Sequence, residues 1–151
     1  MIKIVDILEK LEISREKAES KLKAKREEIG FADKPTESRY ISSTRWDLEN
    51  AIEMAEKELI RIDRNLKEVE RLLKKRKVIT SILVEIGSQV KVKINDKVFE
   101  FLITETSEDI NIGLLPKTSV IGRNLYQKKI GEILEYESGT GKQKMVILDI
   151  N

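Results

Sequence analysis

The sequence predicts an α+β chain: an N-terminal antiparallel α-helical coiled-coil hairpin, then a small β-rich domain carrying one short helix. Two patterns support this. From Leu48 the apolar residues fall at Leu48, Ile52, Ala55, Leu59, Ile62, Leu66, Val69 and Leu73, the unbroken four-three alternation of a coiled-coil seam. After Lys77 the period drops to two, as in "QVKVKINDKVFEFLI" at 89–103, where Val90, Val92 and Ile94 alternate with Lys91 and Lys93. The boundary is placed there, with residues 1–77 as the hairpin and its tip near 30–42, and residues 78–151 as the head.

The first arm repeats the seam through Ile4, Leu8, Leu11, Arg15, Ala18, Leu22, Lys25 and Ile29, with the stems of Arg15 and Lys25 covering apolar surface. Neither arm contains proline or an internal glycine, and Glu, Lys and Arg fill the outer faces, so propensity agrees with pattern. A short connection makes consecutive helices neighbours, hence an antiparallel hairpin whose arms are roughly 40 Å long. Gly30 is expected to stop the first helix, Pro35 disfavours helix at Lys34, and Thr36 or Ser38 would cap the return, which starts between Thr36 and Ser43.

In the head, Asn95 and Asp96 form the turn of a first β-hairpin, and "EILEYESGTGKQKMVILDI" at 132–150 forms a second around a glycine-rich turn. Between them, Thr118 or Ser119 would cap a short helix holding Val120, Ile121, Leu125 and Tyr126.

Composition narrows the chemistry. With no Cys and no His, disulfides, thiolate metal sites and the usual neutral-pH general base are excluded, leaving carboxylates, Lys, Tyr and hydroxyls. Twenty-nine basic residues against 27 acidic ones give a net charge of +2, too even for nucleic-acid binding by charge alone. The densest basic cluster, "KKRK" at 74–77, reads as a solvated helix end that complements the helix dipole. No apolar run is long enough for a membrane span or a signal-peptide core, so a cytoplasmic address is expected. "SGTGKQ" at 138–143 fails as a phosphate loop because Tyr136 and Gln143 occupy positions that need glycine and a hydroxyl residue. "SEDIN" at 107–111 lacks calcium-loop spacing and reads as a solvated loop.

The stretch "FADKPTESRYISSTRW" at 31–46 carries Asp33 and Glu37, with Asp47 and Glu49 further along the second helix. A hairpin of that length gains little from its far end unless the end must reach somewhere narrow. Two carboxylates held there can share a magnesium ion with a partner that supplies the remaining ligands.

The layout resembles the Gre family of bacterial transcript-cleavage elongation factors. The most specific match is "TSVIGRNLYQKKIGEILEY" at 118–136, where Ser119, Ile121, Arg123, Leu125, Lys128, Lys129 and Gly131 follow the family signature in type and order, and Val120 stands where proline is common. The resemblance spans nearly the whole chain. It implies an FKBP-like head without prolyl isomerase activity, and bacterial RNA polymerase as partner, with the tip entering its secondary channel and touching RNA only within the complex. It also implies that Asp33 and Glu37 lend ligands to a magnesium ion shared with the polymerase. The chain alone would then need no cofactor and would not itself be an enzyme. Arg39, Tyr40, Arg123, Lys128 and Lys129 become candidate partner contacts. The tip departs from the family pattern: Asp33 and Glu37 are four apart instead of three, Pro35 lies between them, and Arg39 replaces a third acid.

Three functions follow from these residues: a cleavage-stimulating factor, a non-cleaving channel regulator of initiation or pausing, and a coiled-coil interaction protein unrelated to polymerase. The first two predict a monomer near the chain mass of 17.4 kDa. The third predicts a dimer through the seam.

Overall fold

The computed structural model describes residues 3–32, 40–75 and 82–151. Two long helices come first, α1 (Ile4–Ala32) and α2 (Tyr40–Lys75). They are followed by β1 (Gln89–Ile94), β2 (Lys97–Thr104), a 3-10 turn at Ile110–Ile112, β3 (Leu114–Pro116), α3 (Val120–Leu125), β4 (Ile133–Ser138) and β5 (Gly141–Ile150). This is the α+β class that the two periodicities predict. The chain divides into two compact units, Leu11–Leu66 and Met1–Lys10 with Lys67–Asn151.

In the Leu11–Leu66 unit, Arg15 Nε donates to Asp63 at 2.7 Å and Arg26 Nη2 to Glu56 at 2.7 Å. The contact moves forward along α1 while it moves backward along α2, so the helices run antiparallel. Leu11 and Leu22 from α1, and Leu48, Ala55, Ile62 and Leu66 from α2, are buried as the seam requires. The Asp63 hydrogen bond, with the charges of Glu19 and Asp63, holds the Arg15 guanidinium further toward its charged form.

Three expectations need correction. Gly30 does not stop α1, which continues through Phe31 and Ala32. Glycine lowers helix stability by about 1 kcal/mol relative to alanine without forbidding helical dihedrals, so one residue does not end a long helix. At the far end of α2 the seam shifts by one residue: Leu72 is buried and Leu73 is exposed, because Leu72 packs at Gly87 of the head, where a Cβ would lie 3.5 Å from its Cδ2. The head also contains a strand that periodicity missed, since the three residues of β3 are too few to show a period.

The sheet order is β3-β2-β1-β5-β4, antiparallel throughout except for β2 and β3. Asn95 takes φ 52° in the β1–β2 turn, the left-handed conformation that asparagine tolerates there. The core face collects Val90, Val92, Phe101, Ile103, Met145, Ile147 and Ile150, against which Val84, Leu115 and Leu125 pack. Ile147 and Ile150 are three apart, yet both face this core, because a β-bulge interrupts the β1–β5 register after Lys91. Phe99 and Phe101 stack with ring centroids 6.0 Å apart.

Candidate functional site

The candidate site is the turn between α1 and α2, which sequence reasoning assigns to Asp33, Glu37 and Arg39. These three residues lie outside the described residues, as do the expected caps Thr36 and Ser38. Tyr40 is the first described residue of α2. The described flanks are informative. Phe31 is 73% exposed and Trp46 is 65% exposed, both off the apolar seam. Arg45 Nε donates to Glu49 at 3.0 Å, one turn along α2, so Glu49 is occupied by a cation on its own helix. Asp47 is exposed. Among the described residues no group of three or more acidic side chains is placed to hold a metal ion.

Phe31 and Trp46 were legible as aromatic residues but received no role from the sequence. The available signal was their position: each falls off the four-three register of its helix, which leaves a large apolar surface facing water.

The signature segment of the head is a compact hydrogen-bonded knot. Ser119 caps α3: its Oγ accepts from the Gly122 N–H at 3.0 Å and donates to the Pro116 carbonyl at 2.9 Å. A Cβ on Gly122 would sit 2.0 Å from that same carbonyl oxygen, so only glycine fits. Leu125 is fully buried in the core and Ile121 packs against it. The chain then passes beside Val84, whose N–H donates to the Lys128 carbonyl at 2.9 Å while its carbonyl accepts from Gln127. Most of the signature therefore builds the fold.

The charged residues of that segment are placed differently from one another. Arg123, in the last turn of α3, is exposed and makes no ion pair among the described residues. Lys128 pairs with Glu132 at 3.7 Å, and the Lys129 side chain is exposed while its backbone N–H donates to Glu132 at 2.8 Å. Lys117 lies over the Tyr126 ring, 5.9 Å from its centroid.

One buried acid was missed altogether. Glu68, on α2, is 7% exposed and accepts from the backbone N–H groups of Glu105, Thr106 and Ser107 and from the hydroxyls of Thr106 and Ser107. Burial pushes its carboxyl up, but the hydrogen bonds from Ser107, Glu105 and Thr106 outweigh it and hold the group below the usual carboxylate range. In sequence Glu68 looks like any charged residue on the outer face of a helix.

No described helix is long and apolar enough to cross a membrane. Neither a protein-family model nor a curated protein matches the chain. Among solved structures, Gfh1, the GreA factor homolog 1 of Thermus thermophilus, is 17% identical over 98% of this chain and 94% of that one, with a TM-score of 0.41. Gfh1 of Thermus aquaticus is 18% identical over 90% and 92%, with a TM-score of 0.42. A GreA/GreB elongation factor from Nitrosomonas europaea is 15% identical over 60% and 78%, with a TM-score of 0.42.

Proposed function

We propose that this protein is a Gre-like factor that binds bacterial RNA polymerase, inserts the α1–α2 turn into the secondary channel and stimulates cleavage of backtracked RNA. The observation that carries the proposal is the arm itself. Two antiparallel helices lead to a turn flanked by exposed Phe31 and Trp46, which is surface suited to a partner that encloses the tip. The signature at 118–136 supports the same reading.

In this reading Asp33 and Glu37 would contribute oxygen ligands to a magnesium ion held jointly with the polymerase, an ion that would supply Lewis-acid activation of the scissile phosphate and of water. The protein would lend ligands without being an enzyme itself. Phe31, Tyr40 and Trp46 contact the channel wall, Arg39 meets phosphate, and Arg123, Lys128 and Lys129 are the charged contacts of the head.

A second reading, a non-cleaving regulator of initiation or pausing, is favoured by the altered tip, where Arg39 replaces an acid and the two carboxylates are four apart. A transcript-cleavage assay separates the two. Backtracked polymerase complexes with labelled RNA are mixed with the protein or with a double variant, Asp33→Ala and Glu37→Ala. The first reading expects RNA shortening that the variant lacks; polymerase binding with no shortening by either protein selects the second.

A further inference from the structure

The face of the sheet opposite the core is closed at one end and open at the other. On β2 it runs from buried Leu102 through half-buried Glu100 to Val98, which is 50% exposed; on β1 it runs from buried Gln89 through Lys91 to exposed Lys93. At the open end the register aligns four residues in one row across four strands: Val98 opposite Lys93, Lys93 opposite Val146, and Val146 opposite Ile133. Directly opposed residues share a face, so Val98, Val146 and Ile133 lie in one row with the Lys93 ammonium between Val98 and Val146. Lys91 is paired with Glu100 at 3.6 Å, whereas Lys93 makes no ion pair or side-chain hydrogen bond among the described residues.

We propose that this row is a docking surface for an amphipathic helix of a protein partner, with a carboxylate flanked by apolar residues on its contacting face. The surface is separate from the tip and its role does not depend on the polymerase reading. Spacing favours a helix lying across the strands: neighbouring strands are about 4.8 Å apart and a helix advances about 5.4 Å per turn, so successive turns meet successive strands. The row is about 14 Å long, which matches about three turns.

Charge selects the occupant. A carboxylate over Lys93 gains a partner in a partly desolvated setting, where an ion pair counts for more than in open water. A second copy related by a two-fold axis along the row would stack Lys93 on Lys93, which opposes that form of self-association. A strand added at the β4 edge would reach only Ile133 and leave the rest of the row uncovered.

The test uses the full chain labelled with 15N and a synthetic helical peptide presenting Leu, Glu, Leu and Ile on successive turns of one face. A counterpart carries Lys in place of Glu. The expected result is amide shift changes at Lys93, Val98, Ile133 and Val146, with the Glu peptide binding at least fivefold more tightly than the Lys peptide. Lys93→Glu inverts this preference and Lys93→Gln abolishes it. Lys93 is exposed, so a matching amide spectrum away from the row verifies that each variant is folded. No shifts in the row, a preference unchanged by Lys93→Glu, shifts confined to the β4 edge, or self-association through the row without peptide would each overturn the proposal.

Discussion

The carboxylate of Glu68 accepts the Ser107 hydroxyl at 2.6 Å and the Ser107 backbone N–H at 2.9 Å, which ties the C-terminal part of α2 to the segment after β2. The backbone donors of Glu105 and Thr106 complete the same cradle. An anion serves these groups better than a neutral amide, because every donor there points at oxygen.

Glu68→Gln therefore destabilises the protein by about 2–4 kcal/mol at neutral pH, since several charge-assisted hydrogen bonds weaken and an amide N–H₂ faces donors. Urea unfolding of the two proteins measures the difference.

The pH dependence has a defined sign. The folded pKa of Glu68 lies below its unfolded value of about 4.3, so the stabilisation is fully present above that value and is lost as pH falls through the folded pKa. The stability gap between the wild-type protein and Glu68→Gln should be constant from pH 7 to about pH 5 and shrink below about pH 4.

Gly122→Ala and Gly30→Ala should have opposite effects. A methyl group at position 122 collides with the Pro116 carbonyl and, because the obstacle is backbone, costs about 2–4 kcal/mol or prevents the head from folding. At position 30 the added Cβ meets nothing within 4 Å inside a regular helix, so alanine stabilises by about 0.5–1 kcal/mol. Thermal unfolding followed by circular dichroism reads both.

Loss of the Ser119 hydroxyl removes both the cap of α3 and the bond to Pro116. Ser119→Ala should cost about 1–2 kcal/mol, with Ser119→Thr or Ser119→Asp recovering part of it. Hydrogen exchange should report the loss at the Gly122 amide first.

Long periodic segments made much of this fold legible. The four-three seam located α2 through Val69, and alternation with an Asn-Asp turn located the β1–β2 hairpin, because burial of one face imposes those periods on the sequence. Ser119 was legible as a cap because its chemistry is local. The exchange of Leu73 for Leu72, the parallel pairing of β3 and the cradle around Glu68 were not legible. Each depends on contacts between residues distant in sequence, for which the local pattern carries no mark. For the site, the acids and aromatics of the turn are visible as residue types, and the exposure of Phe31 and Trp46 adds the feature that the sequence left unassigned.

The central claim is that the α1–α2 turn enters RNA polymerase, and the most direct measurement is photo-crosslinking from position 40 at the start of α2. A photoreactive phenylalanine replaces Tyr40 in the full chain, which is mixed with a bacterial RNA polymerase in a backtracked complex. The account predicts crosslinks to the polymerase segments that line the secondary channel and to the extruded RNA. Crosslinks confined to the outer surface of the polymerase, or none with a folded protein, would contradict it.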